Sequence, residues 1–248
     1  MQDALKCFQI EDFNEIKLID SPDNLDMTKA VIDHVNKVKV SENDIEVPFL
    51  SCLEAENISK AFGLFDQFRI LCAMRRSIYG VEFINRIITE YIRKKYRISP
   101  SRTFFKGMPI LVTSNDSLLK LFNGDIGICW DNENSEGDHN LRVYFQDSKS
   151  ESGFRSFSPH QLPEFEIVYA MTVHKAQGSG FDNVFLILSD NENNPVMTRE
   201  LLYTGITRAK ISVEIWSSKE AFAKSVKTQT VRMSGLKEKL TSLSKDID

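Results

Sequence analysis

The 248-residue sequence lacks several things, and each absence excludes something. It contains no GxxxxGK[ST] run, so it offers neither the backbone cradle nor the lysine that would hold the β- and γ-phosphates of a nucleotide. It also has no apolar strand ending in paired carboxylates to hold Mg²⁺. The four cysteines, Cys7, Cys52, Cys72 and Cys129, are scattered, with no CxxC pair and no Cys/His ligand spacing. That excludes a zinc site and a disulfide framework, and no metal ligand is assigned. Signal peptide and membrane-spanning apolar run are both missing, so a reduced, cytoplasmic location without a membrane partner is expected. There is no surplus of basic charge. Lys and Arg number 31 against 35 Asp and Glu, a formal net charge of −4, so any nucleic-acid contact must be local rather than a field over the whole surface. Repeats and low-complexity tracts are absent too.

What is present is an ordinary globular composition, 42% hydrophobic and 27% charged, in a length that fits one large domain or two small ones. The first sixty or so residues are the least legible. Met27 to Lys37 carries a helical stripe (Ala30, Val31, His34, Val35) in which His34 reads as packing, and Ser41 to Asp44 reads as a loop. From Phe65 the pattern sharpens. Phe68 to Ala73 reads as a buried strand, Ser77 to Gly80 as a turn, and Val81, Ile84, Ile87, Ile88, Tyr91 and Ile92 recur at helical spacing, giving one α/β unit of a parallel sheet.

Between 104 and 169 the texture changes to short strands and turns: 110–113, 126–130, 141–145 and 166–169. Asn123-Gly124 is a tight-turn signal, and Asp131 to Asn140 has no apolar residue and reads as a solvated hairpin loop. This predicts a small β-barrel inserted in the α/β domain. The α/β rhythm then resumes with a strand at 184–188, a helix near 198–204, a strand at 211–216 and a helix at 219–226. Lys237 to Asp248 reads as a short charged tail of the kind that frays.

Two polar runs sit beside strongly apolar ones: Met171-Thr-Val-His-Lys-Ala-Gln-Gly-Ser179 and Tyr203-Thr-Gly-Ile-Thr-Arg-Ala-Lys210. The first follows a strand expected at Ile167 to Ala170. Loops at strand ends of such sheets collect ligands, hydroxyls, imidazole and amide suit phosphates and sugars, and Gly178 permits close backbone approach. A polar turn closed by glycine is the plainer alternative. Arg208 is equally open: a surface charge, a cation complementing a helix C-terminus, or a finger stabilising charge on a transferred phosphoryl group.

Taken together these stretches resemble superfamily 1 helicases. Met171–Ser179 resembles motif V and Tyr203–Lys210 motif VI. Phe68–Arg75, followed by Tyr79-Gly-Val81 and Asn85, is similar to motif IV of the RecD branch. Gly107–Asp116 with Leu121–Gly127 resembles that branch's SH3-like insertion, and Arg232–Leu236 resembles the tail of exodeoxyribonuclease V alpha subunits. The resemblance runs from about Phe65 to Leu236. It implies an α/β fold, a RecA-like parallel-sheet domain (65–103 and 166–236) with an inserted SH3-like β-barrel (104–165). A linking, helical segment from a preceding motor domain (1–64) and a tail (237–248) flank it.

The resemblance further implies that Arg75 and Arg208 reach the γ-phosphate of ATP, bound with Mg²⁺ mainly by a half that bears the phosphate loop. Lys175, Gln177 and Gly178 would line the nucleotide cleft, while Thr172, His174 and the weaker candidate Asn115 would face single-stranded DNA. Expected partners are single-stranded or partly duplex DNA, that N-terminal half and RecB- and RecC-like subunits, with 5′ to 3′ travel. Two positions depart from the family: Ser179-Gly180-Phe181 stands where Ser-Glu-Phe is usual, and Arg76-Ser77-Ile78 where Glu-Gly-Pro commonly follows the motif IV arginine. The expectation is the C-terminal half of an ATP-dependent DNA helicase that cannot hydrolyse ATP alone. The alternative is an inactive remnant that binds DNA or other subunits.

Overall fold

A computed structural model describes residues 15–20, 27–37, 48–131, 141–189 and 191–230. The expected loop at 41–44, most of the hairpin loop at 131–140, Cys7, the Arg232–Leu236 stretch and the tail at 237–248 lie outside the described residues.

Five parallel strands form the main sheet in the order β1-β10-β9-β2-β8: β1 (Glu15–Ile19), β2 (Phe68–Cys72), β8 (Ala170–Thr172), β9 (Phe181–Ile187) and β10 (Ala209–Trp216). Every residue of β2 is buried, as expected for a strand inside a parallel sheet covered on both faces. Successive side chains of β9 show the two faces. The Phe185 ring stacks on His34 of α1 (Met27–Lys37) at 3.9 Å. Leu186 meets Gly205 of α5 (Arg199–Ile206). Helix α1 shares its layer with α4 (Val81–Lys95), where the Tyr91 hydroxyl donates to Asn36 at 3.0 Å. Helix α6 (Lys219–Lys227) packs with α5 on the other side. The packing role expected for His34 therefore holds, with an added 3.0 Å contact to Glu214 of β10. Strand β1 gives the first segment a place in this sheet, in register with β10 from Glu15↔Ser212 to Ile19↔Trp216.

Five antiparallel strands form the second sheet in the order β6-β5-β4-β3-β7: β3 (Pro109–Val112), β4 (Ile126–Asp131), β5 (Leu141–Gln146), β6 (Phe154–Phe157) and β7 (Phe165–Ile167). Among the described residues no pairing joins β6 to β7, so the expected closed barrel is not found and the sheet is open. The connection between those two edges explains this. Pro159 opens a 3₁₀ turn (Pro159–Gln161) capped reciprocally by Ser158 and Gln161, and Pro163 follows. Neither proline has an N–H, so the connection cannot extend β6 and β7 toward a closing ladder.

Helices α2 (Pro48–Glu54) and α3 (Ile58–Asp66) lie between the sheets. Phe49 of α2 packs on Phe65, Phe68 and Tyr169, and Phe62 of α3 stacks on Phe154 of β6 at 5.5 Å. One continuous apolar core results.

The chain passes from one sheet to the other through only Val168 and Tyr169, both fully buried. The strand expected at 166–169 is thus split: β7 ends in the antiparallel sheet and β8 begins in the parallel one. Two polar side chains hold this crossover. Asn85 of α4 donates to Ile167 O (2.7 Å) and Ala170 O (3.0 Å) and accepts from Ala170 N (2.7 Å). Arg69, inside β2 and wholly buried, donates to Val168 O (3.2 Å) and lies 3.6 Å over the Phe65 ring. Burial pulls its pKa down to about 10, against the opposing pull of Asp66.

Asn85→Ala leaves buried backbone groups of the crossover without partners, at a cost of about 2–4 kcal/mol. Thermal unfolding of the variant should fall by roughly 5–15 °C for a chain of this size; an unchanged midpoint would remove Asn85 from this role.

Candidate nucleotide and nucleic-acid site

The loop after β2 folds back onto its own helix. Met74 O and Arg75 O accept from the N–H groups of Val81 (3.1 Å) and Glu82 (3.1 Å), satisfying two of the donors that open α4. This brings Arg75 beside the first turn of α4. Its Nε donates to Glu82 Oε1 at 3.0 Å and its Nη2 to Glu166 Oε2 at 3.2 Å. The hydrogen bond with Glu82 and the charge of Glu166 both strengthen the hold of Arg75 on its proton, and Arg75 in turn holds the Glu82 carboxyl below the usual range. Arg76 is far less engaged, reaching Glu82 only at 3.6 Å with its side chain 86% exposed.

Lys175 donates to the other oxygen of Glu166 at 2.6 Å. One carboxylate therefore bridges Arg75 and Lys175. Arg75, Lys175, Glu166 and Thr172 share the wall of a cavity of about 460 Å³ with Asn85 and Thr89 of α4. Sequence reading missed Glu166: it lies at the edge of an apolar run, and its partners are 91 and 9 positions away.

Thr172 ends β8, and its hydroxyl accepts from Lys175 N at 3.3 Å. From there the polar run turns through Ala176 N to Thr172 O (3.2 Å) and Ser179 N to Ala176 O (3.1 Å) before entering β9. His174, Lys175 and Gln177 are exposed along it, as is Gly178 at a φ of +89° that side chains rarely adopt. Because β8 and β9 run parallel, this loop must travel from the C-terminal edge of the sheet to the N-terminal edge.

At that second edge stands Arg208, between α5 and β10. Its Nη1 donates to Ser179 O (3.0 Å), its Nε to Thr204 O (3.1 Å) and its Nη2 to Thr207 Oγ1 (3.2 Å). Among the described residues it makes no ion pair, so its three partners orient the guanidinium without neutralising it. Arg75 and Arg208 lie at opposite strand ends and are not in contact. Arg75, Lys175 and Thr172 are brought together; Arg208 joins them only through the loop, at Ser179. Asn115 is separate, exposed in the β3–β4 loop, where its Oδ1 accepts from Asn123 N at 2.8 Å. Among the described residues no cluster of three His, Cys, Asp or Glu could hold a metal ion, and no helix is long and apolar enough to cross a membrane.

A model of the UvrD-like helicase C-terminal domain matches residues 167–215, a span from the last residue of β7 into β10 that contains both polar runs. The RecBCD enzyme subunit RecD of Buchnera aphidicola subsp. Schizaphis graminum is 32% identical over 201 residues, 79% of this chain and 32% of that protein. These matches mark a RecD-like superfamily 1 helicase C-terminal region. The RecBCD enzyme subunit RecD of Mycobacterium tuberculosis is 35% identical over 182 residues, 73% of this chain and 30% of that protein. The chain thus spans about a third of the length of these curated relatives. A solved Pif1 helicase from Candida albicans aligns with 80% of this chain and 58% of its own at 14% identity and a TM-score of 0.39.

The tight motif IV turn of this RecD-like region depends on Gly80, where an added Cβ would lie 2.6 Å from Arg75 O and 2.8 Å from Ser77 N. Gly80→Ala should destabilise by about 1–3 kcal/mol. Gly63→Ala, in α3 with nothing within 4 Å of the new Cβ, should stabilise by about 0.5–1 kcal/mol. Denaturant titration of both variants checks the opposite signs.

Proposed function

We propose that this chain is the second motor domain of a RecD-like ATP-dependent DNA helicase. It supplies arginines and a grip on single-stranded DNA, while a phosphate-loop domain supplies most of the nucleotide site. The observation that carries the reading is Arg208, held by three neutral oxygens without a carboxylate partner among the described residues; one of them, Ser179 O, belongs to the loop whose other end carries Thr172 and Lys175. A guanidinium oriented but left charged suits a phosphate, because its planar fork can still offer donors to an anion. Thr172 and His174 are assigned to the strand, Gln177, Gly178 and Lys175 to the cleft, and Asn115 to a flanking strand contact.

ATP with Mg²⁺ fits this edge of the domain: Gly180 leaves it open, since an added Cβ would meet only Lys210 Cε at 3.4 Å and Arg208 O at 3.9 Å. When bound, ATP would supply the transferable phosphoryl group, and Arg208 would stabilise charge there. Arg75, at the opposite strand end and paired with Glu82 and Glu166, is assigned to the same phosphate by the resemblance alone. By itself the chain does not hydrolyse ATP. The division into a linking segment (1–64), a RecA-like domain (65–103 and 166–236), an SH3-like insertion built on the antiparallel sheet (104–165) and a tail (237–248) belongs to the same reading, with β1 added to the parallel sheet. So do RecB- and RecC-like partner subunits, since the relatives are RecBCD enzyme subunits. Gly180, in place of the family's glutamate, favours a second reading: a remnant that binds DNA or subunits without turnover.

Combining the chain with a phosphate-loop domain of the same family and measuring DNA-stimulated ATP hydrolysis separates the two. The motor reading expects turnover, with Arg208→Ala lowering kcat by about 10³-fold while oligonucleotide affinity stays within about twofold. Absent turnover leaves the binding remnant, and turnover indifferent to Arg208→Ala removes Arg208 from the role of phosphoryl-stabilising arginine. Gly180→Glu should fold as well as the parent, given the open space, and tighten nucleotide binding in the combined assembly; weaker binding would count against placing the ribose there.

A further inference from the structure

We infer that Glu166 is a built-in competitor for phosphate, an intramolecular carboxylate occupying the anion site formed by Arg75 and Lys175. The inference rests on the reading of Arg75 and Lys175 as ligand-facing cations. The geometry is that of an anion clamp: one oxygen of Glu166 lies 3.2 Å from Arg75 Nη2 and the other 2.6 Å from Lys175 Nζ. A carboxylate held by two cations through both oxygens presents the same donors that two oxygens of a phosphate would take.

The position of the clamp adds a second, independent observation. Arg75, Glu166 and Lys175 line the cavity of about 460 Å³ over α4 and also one of about 700 Å³ that reaches Thr113 and Asn123 of the β3–β4 loop. The three side chains are the partition between two hollows, one on each side. A phosphate that displaces Glu166 would open a passage from α4 past Thr172 to the β3–β4 loop. The clamp is open to solvent on the arginine side: Arg75 is 59% exposed, against 31% for Lys175 and 23% for Glu166, so an incoming phosphate meets Arg75 first. The backbone of Glu166 stays fixed meanwhile, in register with Leu111 of β3. The switch is therefore a side-chain movement, and it makes occupancy of the site visible to the antiparallel sheet through β7.

The occupant is a phosphate group, from a nucleic-acid backbone or from a nucleotide. The test uses the full chain with fluorescent (dT)₂₀ and, separately, inorganic tripolyphosphate. Glu166→Gln, which keeps the shape and removes the charge, should tighten binding of at least one probe by about fivefold. A gain for (dT)₂₀ alone assigns the strand backbone; a gain for tripolyphosphate assigns the nucleotide. The same substitution in an Arg75→Ala, Lys175→Ala background should give no gain. Equal or weaker binding by Glu166→Gln overturns the inference, as does a gain that persists without the two cations, which would be a general effect of removing one negative charge. Because Arg208 takes no part, its ATPase test can fail or succeed independently.

Discussion

The crossover at 167–170 is the constraint on which the rest depends. Two residues carry the chain from an antiparallel sheet to a parallel one, too short a link to leave any backbone group to solvent, and both are fully buried. Buried peptide groups need partners. Asn85 and Arg69 provide them from α4 and β2, and Val168 N donates to Pro109 O at 3.2 Å. The positions of Glu166 on one side and Thr172 on the other follow directly. An ion pair between motif IV and β7 is possible only because the crossover brings β7 to the end of β2.

Arg69 illustrates how such a constraint is met at a cost. A guanidinium with no exposed surface carries a large desolvation penalty, and its Nε is left without a hydrogen-bond partner. What offsets this is stacking on Phe65 and Phe181, at 3.6 and 4.7 Å, and bonds to Val168 O and Phe65 O. Phe181 is the first residue of β9, directly after the motif V loop. One buried side chain thus touches the start of β9, the end of α3 and the crossover, joining the loop that bears Arg208's partner to the element that bears Glu166.

Much of the fold was legible because it rests on local pattern. Long apolar runs such as Val184 to Leu188 and the helical spacing from Val81 to Ile92 are signals a single segment contains. Strand β1 was not legible, since Glu15-Ile-Lys-Leu-Ile19 is short and half polar and becomes a strand only by pairing with β10. Helices α2 and α3 gain their stability from wedging between two sheets, which no local pattern records. Arg69 was hidden inside an apolar strand for the same reason. At the site, Thr172, Lys175 and Arg75 line one wall, although the resemblance gave Thr172 to the DNA strand and the other two to the nucleotide, and Arg75 has closer carboxylate partners than Arg76. Glu166, whose meaning lies entirely in Arg75 and Lys175, carried no signal of its own.

If the crossover governs the molecule, the two sheets should open as one cooperative unit. Native-state hydrogen exchange tests this most directly, comparing amides of Ile128 and Val143 in the antiparallel sheet with those of Ile70 and Leu186 in the parallel sheet. The account predicts opening free energies that agree within about 1 kcal/mol in the parent chain and separate in Asn85→Ala. Exchange of the antiparallel sheet through its own, much cheaper opening in the parent chain would contradict it.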